Sequence, residues 1–339
     1  MEQPSLPPFL PVGHKYALVA LPIHVGDSVP NWADLSNEYH VTRGLGFGLP
    51  DHWREWIGSI AVSQLEEEEH SCLWATSRAH EPGLLDELNE RLKLRVQAWF
   101  RGLLLAAPAF GTSGHLTMLT GAHTNEGVDV RERANLDRPI ANNGVAAPTI
   151  EVGHLRDAVT IGEQILSIHD SGKYRRLRYV VEGFYRGAKT VDVAERIHEF
   201  VRCVEGCILP PRGDTRAKFL NRTELFLGPR NHEWAGMVYD IRSAVEHLND
   251  QLPVLTKPTE REAILTVFRH AYEVQELARH CLHRIFTRTG LLDHFLDDSD
   301  LNRFWGLTMA ERATLWGEPM DLSKVSGLFN PDYVQITGW

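Results

Sequence analysis

The sequence is poor in cysteine and has no long apolar run, and both absences narrow the class of protein. Its 339 residues include only Cys72, Cys203, Cys207 and Cys281. These are too few and too scattered for a disulfide framework, and they lack the CxxC spacing of structural zinc sites. No stretch approaches the roughly 18 apolar residues that span a membrane. The amino-terminal segment has no basic region followed by an apolar core, so we expect no secretory signal and a cytoplasmic protein that does not enter membranes.

An excess of positive charge is also missing. The chain has 35 Lys/Arg against 45 Asp/Glu, a formal net charge of −10, which argues against a protein that coats nucleic acid without specificity. The charge is uneven, however, because residues 171–230 hold 13 Lys/Arg and 7 Asp/Glu. This basic region could bind a polyanion on one face, or it could be ordinary charge on helix surfaces.

Apolar patterning over residues 1–136 predicts a mixed α and β domain. Runs of β-branched and apolar residues, and one turn-like segment at 124–127, indicate strands and a hairpin. The predicted strands cover 16–25, 57–65, 71–76, 115–120 and 128–133. Leucines at helical spacing predict a helix over 84–105, which prolines bound on both sides. The first domain therefore carries the β part of the fold.

Helical periodicity dominates the rest of the chain. Residues 137–150 are rich in Pro, Asn, Gly and Ala and are predicted to form a linker. The predicted helices cover 155–167, 177–184, 193–208, 234–248 and 259–288. Short loops between them predict an all-α bundle over 151–290. We expect residues 291–339 to pack as an extension with a small strand at 332–336, which gives an α+β fold class.

Metal-binding motifs are weak. His280 and His283 are three residues apart and could share a metal with His270 or Glu276. No carboxylate or thiol completes a set at a standard spacing, and no HExxH motif occurs. We therefore predict no metal site and no cofactor.

The strongest candidate chemistry lies on the predicted helix 234–248, where Arg242 and His247 stand five residues apart on its polar flanks. An arginine is always charged and fits a phosphate with a bidentate fork, and a histidine exchanges protons near neutral pH. Such a pair could cleave RNA without a metal. The histidine would move protons to or from the 2′-hydroxyl and the leaving 5′-oxygen, while the arginine stabilises charge on phosphorus. The spacing alone is common in helices and is a weak signal.

Helix geometry separates these two side chains. Positions five apart differ by roughly 140° around a straight helix, so Arg242 and His247 flank the apolar stripe on opposite sides. They could meet at one phosphate if the helix ends or distorts near Leu248. They could also meet if two copies of the helix face each other. The chemical hypothesis therefore predicts a homodimer with a composite site.

Three segments occur in a fixed order along the helical region. They are 178–209, 219–228 (FLNRTELFLG) and 239–247 (YDIRSAVEH). The first places Glu205 among apolar residues of its second helix, and the third reads Tyr-Asp-x-Arg-Ser-x-x-x-His. In this order they resemble the HEPN superfamily, the small helical domains of prokaryotic defence and RNA-processing proteins, and especially its Apea-like branch. The resemblance covers residues 155–290.

This resemblance implies a dimerising helical domain in which Arg242 and His247 of both subunits line a cleft and act as a metal-independent endoribonuclease. It implies a role in bacterial antiviral defence or a toxin-like system. The residues expected to support the pair are Ser243, Glu246 and Glu205. Within the basic region, the residues expected to bind RNA are Arg216, Lys218 and Arg222.

The sequence also departs from the family pattern. Glu246 stands where an apolar residue is usual, Leu248 where glycine is usual, and Ser243 where active members often carry Asn, Asp or His. Glu246 could raise the pKa of His247 and keep it a proton donor. Two alternatives stay open, a non-catalytic module that binds RNA or nucleotide and a dimeric protein-interaction scaffold. Residues 1–150 lie outside the resemblance and could sense a trigger or bind a protein partner.

Overall fold

The computed structural model describes the chain in eight ranges. They are residues 6–23, 25, 32–66, 70–107, 116–146, 149–209, 213–247 and 261–334. Contacts divide the chain into two units. The first comprises 1–107, 112–138 and 149–166, and the second comprises 108–111, 139–148 and 167–339. The first unit holds an antiparallel sheet and most helices lie in the second, which confirms the predicted α+β class.

Six strands form the sheet of the first unit. They are β1 (His14–Leu21), β2 (Trp32–Asp34), β3 (Tyr39–Arg43), β4 (Ser71–Arg78), β5 (Leu116–Thr124) and β6 (Gly127–Leu136). Their order is β2-β3-β4-β1-β5-β6 with antiparallel neighbours throughout. β1 is buried along nearly its whole length because it is central in the sheet. The predicted hairpin is confirmed as β5 and β6, and the predicted strand 71–76 as β4.

Two short helices replace one predicted strand. Residues 57–65 were expected to be extended, but the chain forms α1 (Asp51–Ile57) and α2 (Ser59–Glu66). Gly58 lies between them at φ +86°, a left-handed conformation that glycine adopts without strain. The buried residues of α2 are Ala61, Val62 and Leu65. Their helical spacing, rather than an alternation of two, packs this segment on the sheet's core cluster.

The first unit also contains α3 (Glu87–Ala106), which was predicted, and the greater part of α4 (Val152–Asp170). A Cβ at Gly102 would lie 2.2 Å from the carbonyl oxygen of Ala158 on α4. Only glycine permits this close approach of the two backbones. Residues 149–166 therefore group with the sheet, whereas the sequence placed the start of the helical bundle at 151.

The second unit is helical. Its helices are α5 (Arg175–Lys189), α6 (Val193–Ile208), α7 (Thr215–Leu227), α8 (His232–Glu246), α9 (Arg261–Thr287), α10 (Asp298–Gly306), α11 (Met309–Trp316) and α12 (Leu322–Gly327). The helix α6 packs against α5, α8 and α9, because apolar side chains cover most of its surface. The sequence predicted α5, α6, α8 and α9, with ends that differ by a few residues. No helix among the described residues has the length and apolar composition needed to cross a membrane.

Two further segments differ from expectation. The predicted strand at 332–336 is wrong in its described part, which is a 3₁₀ turn over Pro331–Tyr333. Proline has no N–H to donate to a strand partner, and the Asn330 side chain accepts from the Asp332 N–H instead, at 2.9 Å. In the predicted linker, the Ile140 N–H donates to the Ala188 carbonyl at 2.7 Å, so this part is anchored on α5.

Candidate functional site

A cleft of about 920 Å³ lies in the second unit between α5, α6 and the start of α10. Six cationic side chains line it. Three of them, Lys173, Arg175 and Arg202, are exposed and form no ion pair within 4 Å with the described residues. The Arg175 guanidinium lies 5.8 Å from the ring centre of the exposed Tyr179. The basic region identified in the sequence therefore supplies three unpaired cations to one concave surface, which five carboxylates also line.

The other cations of the cleft are held by carboxylates. Arg176 makes a bidentate pair with Asp298, with N–O distances of 2.6 and 2.7 Å. The guanidinium of Arg186 lies 3.1 Å from the Glu199 carboxylate. Because each pair is internally neutral, these arginines shape the cleft wall more than they add attraction for an anion.

Arg242 is the sixth cation, and α8 places it in the cleft wall. Its Nη2 lies 3.1 Å from the Glu205 carboxylate on α6 and 3.5 Å from the Glu246 carboxylate one turn later on its own helix. The Arg242 side chain is 17% exposed and that of Glu205 is 10% exposed. Burial raises the pKa of Glu205, although the Arg242 charge opposes the rise. Glu205, which was expected to support Arg242, is therefore in direct contact with it.

Glu246 has a different partner from the one expected. The sequence assigned it to His247, but its carboxylate lies 2.7 Å from His198 Nε2 on α6. That hydrogen bond, with the Arg242 charge, lowers the pKa of Glu246. The sequence analysis missed His198. The signal that could have found it is the spacing of His198, Arg202 and Glu205, polar positions four and seven residues apart on a helix that is otherwise largely apolar.

His247 lies just beyond the end of α8, which ends at Glu246. Its backbone N–H donates to the carbonyl of Ser243 at 3.1 Å, and its side chain is exposed. It is not among the described residues that line the cleft. The helix α8 therefore ends close to Leu248, where the sequence analysis allowed for an end or a distortion. The structure brings Arg242 together with Glu205 and Glu246, and it leaves His247 at the surface.

The three basic residues expected to bind RNA lie elsewhere on the second unit. Arg216 pairs with Asp240 at 2.9 and 3.0 Å, outside the cleft. Arg222 donates to the carbonyls of Ile208 and Leu209 at the end of α6 and lies over the Trp305 ring. Burial lowers its pKa. Arg222 therefore has a structural role, because it donates hydrogen bonds to carbonyl groups that have no helical partner at the end of α6. Lys218 is half-buried on α7 and does not line the cleft.

The histidines considered for a metal do not form a cluster. Across the described ranges, no group of three or more His, Cys, Asp or Glu side chains could hold a metal ion. His280 is half-buried near Trp316, and desolvation together with Arg284 and Arg279 lowers its pKa to about 3. A neutral ring that packs beside a tryptophan is a structural histidine.

Compared with known proteins, the chain matches no family model, no curated protein and no solved structure. The likeness to the HEPN superfamily therefore rests on the three sequence segments.

Proposed function

We propose that the second unit is a metal-independent endoribonuclease of HEPN type that acts as a homodimer in the bacterial cytoplasm, in antiviral defence or a toxin-like system. One observation carries the proposal. The Arg242 guanidinium is fixed by Glu205 in the wall of a cleft of about 920 Å³ that also presents unneutralised cations. A fixed cation in a concave basic surface is suited to an RNA phosphate.

The chemistry requires one phosphate-binding cation and groups that transfer protons. In the proposed reaction the 2′-oxygen attacks phosphorus and the bond to the 5′-oxygen breaks, which leaves a 2′,3′-cyclic phosphate and a 5′-hydroxyl. A histidine accepts the 2′ proton and a second histidine supplies a proton to the 5′-oxygen. Arg242 stabilises the charge that builds on the phosphoryl oxygens.

Dimerisation supplies the histidines. Within one chain, Arg242 lies in the cleft wall and His247 is exposed beyond the helix end. An exposed histidine at a helix end is free to enter a cleft formed with a second copy. The two-fold symmetry of a dimer then provides both proton-transfer groups.

The test measures cleavage of a 5′-labelled RNA in EDTA by the full chain and by Arg242→Ala and His247→Ala. We expect each variant to lose at least about 100-fold in rate. The matched controls are Arg303→Ala and His169→Ala, whose side chains are 75% and 73% exposed and lie outside the cleft, and both should cleave like the wild type. Cleavage that survives Arg242→Ala and His247→Ala would overturn the proposal, as would a strictly monomeric active enzyme.

A second candidate is RNA binding without cleavage. It is favoured by the two carboxylates that already neutralise Arg242. In that case the full chain binds RNA with an affinity that falls steeply with salt, and the joint change of Lys173, Arg175 and Arg202 to glutamine removes binding. No cyclic phosphate product is then formed.

A further inference from the structure

A second cavity in the helical unit, of about 380 Å³, lies between α7, α8 and α9. It is separate from the basic cleft, since none of its lining residues lines that cleft. Leu220, Met237 and Ile241 give it an apolar wall. At its rim Arg216 and Asp240 pair with each other, so their two charges largely cancel there.

One buried polar side chain also lines this cavity. His270, on α9, is 3% exposed. Its Nδ1 lies 2.8 Å from the carboxylate of Glu273, which is itself 2% exposed. That carboxylate also accepts from Trp234 Nε1 and from Ser326 Oγ, each at 2.6 Å. The histidine ring is therefore held in a fixed orientation by a carboxylate that has several donors.

The hydrogen bonds around Glu273 decide the role of Nδ1 of His270. Burial would raise the pKa of Glu273, but the donors His270, Ser326 and Trp234 outweigh it and lower the pKa. An anionic carboxylate only accepts, so Nδ1 of His270 donates and carries the hydrogen.

The opposite edge of the ring is unsatisfied. Nε2 of His270 is buried and has no hydrogen-bond partner in the ranges that the structure describes. Whether it carries a lone pair or a hydrogen, a ring nitrogen forms a hydrogen bond, so Nε2 lacks a partner in either form. A buried polar atom without a partner destabilises a fold. An apolar cavity lined by a residue with one such atom has the composition of a small-molecule site.

We propose that this cavity binds a small, largely apolar molecule that carries one hydroxyl group, and that this hydroxyl group forms a hydrogen bond with Nε2 of His270. The apolar body packs against Leu220, Met237 and Ile241. The site is independent of RNA cleavage, because neither Arg242 nor His247 takes part in it.

The experiment uses two probes of nearly equal shape, 4-methylphenol and 1,4-dimethylbenzene, titrated against the full chain. They differ only by a hydroxyl in place of a methyl group. We expect the phenol to bind saturably and at least about tenfold more tightly, because a site built around a hydrogen bond rejects an analogue that lacks it. In nitrogen-15 NMR of the histidine side chains, the phenol should shift the Nε2 resonance of His270 and leave that of His169 unchanged.

Variants separate the polar contact from simple filling of the cavity. His270→Phe keeps a ring and leaves Glu273 with two donors. In this variant the phenol and the dimethylbenzene should bind with about equal affinity. The matched control is His232→Phe, at the rim of the same cavity, which should keep the preference. If His270→Phe does not fold, as judged by circular dichroism, the NMR shift in the wild type decides.

Three results would overturn the proposal. They are equal affinity for the two probes, no saturable binding of the phenol, and tighter binding of 4-methylbenzoate than of the phenol, which would show a site for anions. None of these results bears on RNA cleavage, which is measured separately.

Discussion

Two buried glutamates in the helical unit meet opposite surroundings. Glu205 on α6 faces one arginine, Arg242 on α8, and the Glu246 carboxylate lies 3.5 Å from the same guanidinium. Glu273 lies at the α9 wall of the unit and accepts from His270, Trp234 and Ser326. Burial raises the pKa of the first, whereas hydrogen bonds lower the pKa of the second.

The comparison shows that the number of hydrogen-bond donors decides whether burial raises or lowers the pKa of a carboxylate. One cation shared between two carboxylates does not fully replace the hydration that Glu205 loses on burial, whereas three directed donors replace it for Glu273. A fully satisfied carboxylate fixes the groups around it, here a histidine ring.

The largest effect should come from removing the better satisfied carboxylate. Glu273→Ala leaves the Trp234 and Ser326 donors and His270 without their shared acceptor in a buried place. We expect a loss of about 3–5 kcal/mol in the free energy of unfolding, measured by urea denaturation. The control Glu262→Ala, at an exposed position of the same helix, should change it by less than about 0.5 kcal/mol. A small effect of Glu273→Ala would contradict the comparison.

The second effect concerns the Arg242–Glu205 pair. Arg242→Met leaves Glu205 buried without its cation, and we expect a loss of about 2–3 kcal/mol. Adding Glu205→Leu should restore most of this stability, because replacing both partners with apolar groups removes the unpaired charge. Urea denaturation of the wild type, the two single variants and the double variant gives the four free energies of unfolding of a double-mutant cycle. Strictly additive losses would show that the two groups do not interact.

The pH dependence of stability sharpens the comparison, since the two carboxyls shift in opposite directions from the ordinary value of 4.5. The pKa of Glu273 is lowered, so its contribution is present above pH 4.5 and is lost as the pH falls through its folded pKa. The pKa of Glu205 is raised, so its contribution is present below pH 4.5 and is lost as the pH rises through its folded pKa.

The free energies of unfolding of the wild type, Glu273→Gln and Glu205→Gln, measured between pH 3 and 7, separate the contributions of the two carboxyl groups. The stability advantage of the wild type should grow with pH for position 273 and shrink with pH for position 205. Each unit of pKa shift corresponds to about 1.4 kcal/mol. Slopes of the same sign would show that the two surroundings do not differ in the way described.

The smallest effect on stability should be that of His247→Ala. The side chain is exposed beyond α8 and makes no contact within the described residues that would hold it. We expect a change below about 0.5 kcal/mol, with an unchanged thermal midpoint. Under the RNase proposal the same variant loses activity, so a large loss of stability would favour the scaffold alternative instead.

Much of the fold followed from periodicity. Long amphipathic helices such as α3 and α6 are specified by many residues at once, so the sequence predicts them well. The segment 57–65 was predicted as strand, since short apolar runs satisfy both periods. Gly58 and the packing of α2 on the sheet decide in favour of helix, and neither is visible locally.

The candidate site was predictable in part. Arg242 and His247 follow from residue chemistry and spacing, and the family resemblance pointed to Glu205. The partnership of His198 with Glu246 joins positions 48 residues apart, and that of Ser326 with Glu273 joins positions 53 apart. Side-chain pairing over such separations depends on how helices pack, and a local pattern contains no information about it.

The order of residues alone set the helical periods, the uneven distribution of charge and the placing of an arginine and a histidine near one helix end. Folding in three dimensions decided which cations are neutralised, where the helix stops relative to His247, and that Nε2 of His270 is buried without a partner among the described residues. The reason is that periodicity is a property of neighbours along the chain, while solvation and pairing depend on groups that the fold brings together from distant positions.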